Sequence, residues 1–538
     1  MIKFFFIFFI SIFYCQNFSY SDDDWFTITA PQEINSISYS NEQVLLSSNN
    51  GLFGYDIFNE NFYFIDDAFK RLDNHEVYII FHDSYRDHLW LLNKEAIYFK
   101  STISDIWREI NLYSNLNVMN ADHILNIGSN YENIFIETVN KILIVNPYNG
   151  QLLEEVIKNN FNTDNIMWAS TSRSSLSDYV DLTRYFSTKQ WNVLNRNTLE
   201  HKGREIKITC VKKINHGIVF VGTDSGELFI ANSNTKNIEK IVSIPSITNI
   251  HLAYLDNKNE WWLADNDWFY SDREFSYERE IIFISKWEQE NDIWIEYYQN
   301  EYPYILSKDI NQIIRLNNFL YIATNYGLLI FDIVNNNWKL YNSKNGIFED
   351  KILDLCIYKD IIYLGTADGL VLFSNIINKP IGYYSNSILK NCEIFDLLIN
   401  KNKLYVSSSH GFYLIDIELN KHQFLSEKIF FKMDGYEDYF VMSNNNYVYR
   451  FYNDEFQLLF KNKNIKNIKT IDDYVWINSK NNAVLYSIIN DEKYVYDNED
   501  GIIGDIIYNI NCNQDWVWFN TNNGISFYNW RKFHNYEK

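Results

Sequence analysis

The chain has 538 residues, of which 46% are apolar, 18% aromatic and 22% charged, so it can bury a large core and is not intrinsically disordered. Its 18 glycines and 5 prolines exclude collagen-like and Pro/Gly-rich low-complexity architectures. The 69 acidic residues outnumber the 47 basic ones, which gives a net charge of -22, and no run of clustered Lys and Arg appears. Nucleic acid and anionic lipid surfaces are therefore not expected as partners.

The N-terminus has the pattern of an export signal. Residues 2–15 place one lysine before an apolar stretch that is too short to span a bilayer. We predict a signal peptide over 1–21 with cleavage after Ser19-Tyr20-Ser21, and hence an extracytoplasmic protein that is periplasmic, on the cell surface or secreted. Cys15 raises the question of a lipid anchor, although a bulky Tyr14 precedes it. No later run of 18 apolar residues occurs, so we expect no transmembrane segment in the mature chain.

An internal repeat organises the rest of the chain. Every copy has an apolar residue, nine of the eleven have a Ser or Thr two positions later, and six have a glycine three positions after that. In ten of eleven copies an aromatic residue stands three positions before the Ser/Thr column. The eleven copies are 44–56, 89–101, 134–146, 219–231, 261–271, 320–332, 362–374, 404–416, 439–451, 475–487 and 517–529.

The spacing of the copies reveals one hidden copy and one insertion. The usual step is 42 to 45 residues. Two steps are shorter, at 35 and 36 residues, and two are longer, at 85 and 59 residues. We interpret 166–174 as a loose twelfth copy within the step of 85, matched through Trp168 and Thr171. The step of 59 indicates an insertion at 272–309, whose apolar stretches are candidates for further strands or a seventh blade.

This period predicts an all-β fold of two tandem β-propellers. Each copy reads as two strands joined by a Ser/Thr-x-x-Gly turn, in which glycine supplies a positive φ. An inner strand precedes the pair and an outer strand follows, so each repeat forms one four-stranded blade. Propellers close at four to eight blades, so about twelve repeats imply two rings of six or seven blades. We assign 22–305, with the insertion, to the first ring and 306–538 to the second, and we expect Trp25–Ala30 to close a ring as an outer strand.

Two stretches resemble a known family. NSKNGIFEDKILDLCIYKDIIYLGTADGLVLFS at 342–374 and DNEDGIIGDIIYNINCNQDWVWFNTNNGISFYN at 497–529 are similar to the two-component regulator propeller repeats of bacterial hybrid sensor kinases. The resemblance implies an extracytoplasmic pair of propellers that binds a ligand or partner, carbohydrate in several relatives. No immunoglobulin-like domain or kinase portion follows the last repeat in this sequence, so we expect another protein to report any sensing. Envelope propellers of bacterial secretion machines also resemble this repeat, and they hold protein partners.

The default binding site is the face where the loops between second and third strands meet the loops that join blades, around the central channel. Asn and Asp there are also ordinary turn formers, whereas a turn needs neither Tyr326 nor His410. Trp287 and Trp294 in the insertion are candidates for a sugar platform. The loop-face candidates for ligand binding are Asn49, Asp224, Tyr326, Asp368, His410 and Asn522.

No catalytic motif or zinc-type spacing is present in the sequence, so we expect no catalytic and no metal residues. We expect no cofactor, and Ca²⁺ stays a weak alternative because three acidic clusters lack the spacing of a known calcium loop. These clusters are Asp265/Asp267, Asp472/Asp473 and Asp497/Glu499/Asp500. The favoured hypothesis is a non-catalytic module that binds a small molecule or glycan. The alternatives are an envelope or secretion scaffold that binds a protein partner, and a polysaccharide lyase or hydrolase whose carboxylates meet across blades.

Overall fold

The computed structural model describes residues 24–534 except 41–42, 66–75, 105, 187–190, 202–203, 215–216, 242–246, 267–281, 292, 299–304, 385–388 and 437–438. The predicted signal peptide, Cys15 and Asp267 lie outside the described residues. Within those described ranges, no helix is long and apolar enough to cross a membrane.

The described residues form eleven antiparallel β-sheets. The chain starts with β1 (Trp25–Ile28). Blade 1 contains β2 (Ile34–Ser40), β3 (Gln43–Ser48), β4 (Gly51–Asp56) and β5 (Asn61–Phe64). Blade 2 contains β6 (Val77–Asp83), β7 (His88–Asn93), β8 (Ala96–Ser101) and β9 (Arg108–Asn111), and the short helix α1 (Leu112–Leu116) follows. Blade 3 contains β10 (Ile124–Ser129), β11 (Ile134–Thr138), β12 (Lys141–Val145) and β13 (Leu152–Ile157). The short strands β14 (Met167–Trp168), β15 (Ser170–Thr171), β16 (Asn192–Asn195) and β17 (Thr198–His201) precede blade 4, which contains β18 (Arg204–Lys213), β19 (Ile218–Thr223), β20 (Leu228–Asn232) and β21 (Asn237–Ile241).

Seven more blades follow. Blade 5 contains β22 (Ile250–Leu255), β23 (Glu260–Asp265), β24 (Ile282–Glu288) and β25 (Ile293–Tyr298). Blade 6 contains β26 (Ile310–Leu316), β27 (Phe319–Thr324), β28 (Gly327–Asp332) and β29 (Asn337–Tyr341). Blade 7 contains β30 (Ile352–Tyr358), β31 (Ile361–Thr366), β32 (Gly369–Ser374) and β33 (Lys379–Tyr383). Blade 8 contains β34 (Ile394–Asn400), β35 (Lys403–Ser408), β36 (Gly411–Asp416) and β37 (Lys421–Ser426). Blade 9 contains β38 (Lys432–Tyr436), β39 (Tyr439–Ser443), β40 (Tyr447–Tyr452) and β41 (Glu455–Lys461). Blade 10 contains β42 (Asn467–Ile471), β43 (Tyr474–Asn478), β44 (Ala483–Ser487) and β45 (Glu492–Tyr496). Blade 11 contains β46 (Ile507–Cys512), β47 (Val517–Thr521) and β48 (Gly524–Tyr528).

The first strands of the blades line two closed rings, which confirms the predicted all-β pair of propellers. In ring 1 the inner strands β2, β6 and β10 contact one another in that order, the short strand β15 contacts both β10 and β18, and β18 returns to β2. In ring 2 the strands β22, β26, β30, β34, β38, β42 and β46 contact one another in that order, and β46 returns to β22. Ring 1 therefore has four blades and ring 2 has seven among the described residues.

The division between the rings differs from the predicted boundary at 305. Blade 5, which takes β24 and β25 from the predicted insertion, shares a core with blade 6 through Trp262 and Phe283. It shares another core with blade 11 through Trp261 and Trp287. Blade 5 thus belongs to ring 2, and the structure moves the boundary to the segment between β21 and β22. The sequence pattern hid this because the packing partner of blade 5 lies about 250 residues away, and loop length restrains such pairing only weakly.

The first strand closes the second ring. Residues Trp25 to Ile28 pair with Tyr528 to Ile525, so β1 is the outer strand of blade 11, as predicted. Phe26 stacks on Phe527 with ring centroids 4.2 Å apart. Since ring 1 occupies the chain between β1 and β22, it is an insertion into ring 2.

The predicted twelfth copy at 166–174 is wrong as a blade. Its residues form only β14, which pairs with the free edge of β10, and β15, which pairs with the free edge of β2. Ser170 also exchanges hydrogen bonds with Val211 of β18. The free edges of inner strands face the channel of a propeller, so this segment, which we call the plug and which is buried from Trp168 to Thr171, lies on the channel side of ring 1.

The Ser/Thr column of the repeat closes the hairpins. In blade 7 the Thr366 hydroxyl accepts the Asp368 N–H at 3.2 Å and donates to the Gly369 carbonyl at 2.7 Å. Gly369 has φ +129°, and a Cβ there would collide with the Leu389 carbonyl of the following loop. The Ser/Thr-x-x-Gly pattern therefore specifies a turn that only glycine fits at its last position.

Candidate functional site

In ring 1, β14 and β15 pair with the channel-facing edges of inner strands, whereas no described strand pairs with such an edge in ring 2. Its loop face, where the turns between second and third strands meet the loops between blades, is therefore the candidate site. Tyr326, Asp368 and His410 lie in these turns of blades 6, 7 and 8, so the structure brings three predicted residues to one arc of this face. Asn49 and Asp224 lie instead on ring 1, in blades 1 and 4.

Three of the predicted residues accept hydrogen bonds from neighbouring residues of the fold. The Asn49 side chain accepts a hydrogen bond from Asn35 Nδ2 at 2.8 Å. Asp224 accepts the Lys207 N–H at 2.9 Å. Asn522 Oδ1 accepts the N–H groups of the two residues that lead into β46, both at 3.0 Å. Their side chains thus have structural partners, which is the ordinary role of Asn and Asp in turns.

The other three form an exposed arc on ring 2. Tyr326 is 41% exposed, and His410 is exposed with no side-chain hydrogen bond to the residues that the structure describes. Asp368 accepts a hydrogen bond from the Tyr383 hydroxyl at 3.1 Å. Burial and this carboxylate raise the pKa of Tyr383 to about 12. Phe348, itself 56% exposed, stacks on Tyr383 at 4.9 Å between ring centroids.

A shallow hollow of about 440 Å³ continues this arc at blade 9. It lies between the loop that leads into β38 and the turn between β39 and β40. Ile429 and Phe431 on its wall are each 38% exposed. Phe431 meets Phe395 edge-on at 5.0 Å, and each of these rings directly precedes a charged residue of an inner strand. The lining residues are Glu427, Ile429, Phe431, Asn444, Asn445, Asn446 and Tyr447.

Next to Phe395 and Phe431, polar side chains join the inner strands of ring 2. In blade after blade, one side-chain oxygen accepts the N–H of a residue on the next inner strand, at 2.5 to 2.6 Å. The acceptors are Gln312, Asp354, Asp396 and Asp434, and the donors are Leu355, Leu397, Met433 and Thr470 in the same order. In blades 6, 7 and 8 the acceptor follows a β-bulge, which turns its side chain toward the neighbouring blade.

Two lysines complete this arrangement, which we call the channel belt: Gln312, Asp354, Asp396, Lys432, Asp434 and Lys469. Lys432 Nζ lies 3.3 Å from Asp396 Oδ1, and Lys469 Nζ lies 3.3 Å from Asp434 Oδ1. The Asp396 carboxylate raises the pKa of Lys432. Burial and the Asp396 carboxylate raise the pKa of Asp354 well above its usual value.

Sequence reasoning missed the channel belt, although a signal was present. Gln312, Asp354 and Asp396 each stand two residues after the isoleucine that opens an inner strand. Asp354 and Asp396 are also a carboxylate pair that meets across blades, the arrangement that the sequence could not exclude. Their Oδ2 atoms bind backbone N–H groups, so they join blades whatever else they do.

The tryptophans of the insertion and the acidic clusters have neighbours that explain most of them as parts of the fold. Trp287 is buried in a stack with Trp294 at 5.4 Å and faces Trp261, so it is core and not an exposed platform, whereas Trp294 is partly exposed. Asp472 pairs with Arg531, and the Asp497 and Asp500 carboxylates accept N–H groups of their own turn. In the part of the chain that the structure describes, no three His, Cys, Asp or Glu residues are grouped to hold a metal ion.

Comparisons with known proteins bear on the fold. No family model matches the chain, and no curated protein matches it. A surface component of the type-IX secretion system of Porphyromonas gingivalis, PorZ, is 10% identical over 92% of this chain and 74% of its own, with a TM-score of 0.48. The extracellular domain of the putative hybrid two-component system BT4673 of B. thetaiotaomicron is 12% identical over 92% and 70%, with a TM-score of 0.42. BamB of Moraxella catarrhalis is 12% identical over 60% of this chain and 98% of its own, with a TM-score of 0.38.

Proposed function

We propose that the protein is an exported, non-catalytic binding module whose ligand docks on the loop face of ring 2, at the mouth of its channel. The observation that carries the proposal is the exposure of Ile429 and Phe431 around a hollow on this face, with Phe348 exposed in the loop between blades 6 and 7. The blade repeat does not require these side chains, since they lie in loops between blades. Exposed apolar groups with polar neighbours around a concavity are typical of binding sites.

A small molecule or glycan is the ligand class that we favour. Aromatic side chains such as Phe348, Phe431 and Tyr326 supply flat apolar surfaces, and the turn of Asn444 to Asn446 supplies amide donors and acceptors. Such a mixture orients a polar ring compound. In ring 1 the plug pairs with the channel-facing edges of β10 and β2, which is a further reason to favour ring 2.

The test is thermal unfolding of residues 22–538 against a panel of glycans, and separately against envelope extract. A ligand of the native state should raise the Tm by mass action. Ile429→Ser should abolish the rise, whereas Ile376→Ser should keep it, because Ile376 is an exposed isoleucine in a turn on the opposite face of ring 2. Equal losses in both variants would contradict the proposed location, and stabilisation by a protein fraction alone would favour a scaffold.

A further inference from the structure

The hollow at blade 9 has an apolar wall that the fold holds in place. Ile429 and Phe431 are each 38% exposed, and Phe430 between them is fully buried in the core that blades 8 and 9 share. The Phe431 N–H donates to the Ser443 carbonyl at 2.8 Å, which fixes the backbone on this side of the hollow. The buried ring of Phe430 thus anchors a loop that presents two partly exposed apolar side chains at the hollow.

The opposite wall of the hollow is polar. The turn that forms it is held by Asn444, whose Oδ1 accepts the N–H groups of Asn446 and Tyr447 at 3.0 and 2.9 Å. Asn445 and Asn446 are exposed, and their side-chain amides make no hydrogen bond to a residue that the structure describes. Each of these two amides therefore offers two donors and one acceptor to a ligand.

The charge of the hollow is negative. Among the described residues that line it, Glu427 alone is charged. Glu427 is exposed and forms no ion pair with a residue in the described ranges. It lies next to the turn of His410, since a Cβ added to Gly411 would come 3.4 Å from Glu427 Cα. A carboxylate in this position accepts hydrogen bonds from hydroxyl groups and repels anions.

We infer that the hollow binds an uncharged sugar that carries an apolar substituent. This inference rests on the proposed function and names the class of its ligand. The substituent packs against Ile429 and Phe431. The sugar hydroxyl groups exchange hydrogen bonds with the amides of Asn445 and Asn446, and one of them donates to the Glu427 carboxylate.

A ligand with both parts fits the hollow better than either part alone. A free sugar would leave the apolar wall in water, and a purely apolar compound would cover amides that it cannot hydrogen-bond, which is costly. The volume of about 440 Å³ is that of a small-molecule site. Sugars with carboxylate or sulfate groups are disfavoured, because Glu427 repels them and the chain has a net charge of -22.

The experiment measures the Tm of residues 22–538 against the phenyl and methyl glycosides of glucose, galactose and mannose. At least one phenyl glycoside should raise the Tm with a saturable dependence on concentration. Its apparent affinity should exceed that of the methyl glycoside about tenfold, because the phenyl ring buries more apolar surface. Phe431→Ser should remove this difference, whereas Phe431→Leu should keep most of it. Both variants should fold, since they leave the buried anchor Phe430 unchanged.

A second measurement tests the charge of the hollow with the phenyl glycoside of the uronic acid that corresponds to the preferred sugar. Wild type should bind this anionic probe several-fold more weakly than the neutral phenyl glycoside, and Glu427→Gln should narrow the gap. Glu455→Gln is the matched control, because Glu455 is exposed beside the turn between β40 and β41, at the other end of blade 9. This control should leave the gap unchanged.

Equal affinities of wild type for the phenyl and methyl glycosides, or tighter binding of the anionic probe, would overturn the inference. A panel ligand that needs Ile429 but is anionic or has no apolar substituent would also overturn it and leave the proposed function standing. A panel in which no response depends on Ile429 would contradict the proposed function itself.

Discussion

Closure of ring 2 depends on a strand from the other end of the chain, and Trp25→Ala tests this dependence. Trp25 is 2% exposed and stacks on Tyr528 at 4.5 Å and on Phe519 at 6.0 Å. Gly501 lies against its indole so closely that a Cβ there would fall within 2.9 Å of the ring. Tyr528 and Phe519 lie in β48 and β47, which pair with each other, so we expect little collapse into the space that alanine leaves.

Truncation of a buried Trp in such a site costs about 3–5 kcal/mol. At about 2–4 °C per kcal/mol for a large domain, the Tm of ring 2 should fall by roughly 6 °C or more. Calorimetry measures the fall, and amide hydrogen exchange locates it: the amides of β48 should exchange faster, while those of blades 2 and 3 stay unchanged. Phe58→Ala is the control, because Phe58 is 84% exposed in a turn. A cost below about 1 kcal/mol for Trp25→Ala, or unchanged exchange in β48, would refute the role of β1 in closing the ring.

Three further variants test local features of the fold. Gly369→Ala should destabilise the protein more than Gly382→Ala in urea unfolding, since both have φ above +120° but only Gly369 would place a Cβ against a carbonyl. Arg315→Met should cost about 3–5 kcal/mol at pH 7, because it leaves the buried Asp256 without its guanidinium partner. Burial raises the pKa of Asp256, but the hydrogen bonds to its carboxylate lower it by more, so the pKa in the folded protein is below the usual value. The stabilisation by this carboxylate is therefore lost as the pH falls below about 4, and the variant should differ less from wild type at pH 3. Asp354→Asn should raise the Tm at pH 8, and the gain should shrink toward pH 4, because a raised carboxyl pKa costs stability as pH rises; no gain at pH 8 would contradict a carboxyl group whose pKa is raised in the folded protein.

The parts of the fold that were predictable are those that each blade repeats. Thr366 and Gly369 recur because six hairpins use a hydroxyl and a positive-φ glycine at these two positions. The aromatic column recurs because residues such as Trp476 fill the space between neighbouring sheets. Local periodicity therefore predicted the blades, the turns and the face on which loops gather.

The assignment of blades to rings was not predictable in the same way. Blade 1 packs on blade 4 through residues such as Phe53 and Phe220, and blade 5 packs on blade 11 through Trp261 and Trp518. These contacts join surfaces far apart in sequence, and every blade offers a similar apolar face. The plug illustrates the same difficulty, since Trp168 and Thr171 match the repeat columns but pair with the edges of two different blades.

A repeat also shows where function can be sought, because each blade needs the common residues for folding and any departure has another cause. Asp396 departs from the lysine that precedes the corresponding donors in blades 9 and 10, so Asp354 faces a second carboxylate. Ile429 and Phe431 depart by exposing apolar groups beside the same stretch of channel. Asp396 still joins two blades through the Met433 N–H and Lys432, but its carboxylate raises the pKa of Asp354, which costs stability at neutral pH. The coincidence of both departures at the loop-face end of ring 2 supports the proposed location of the binding site.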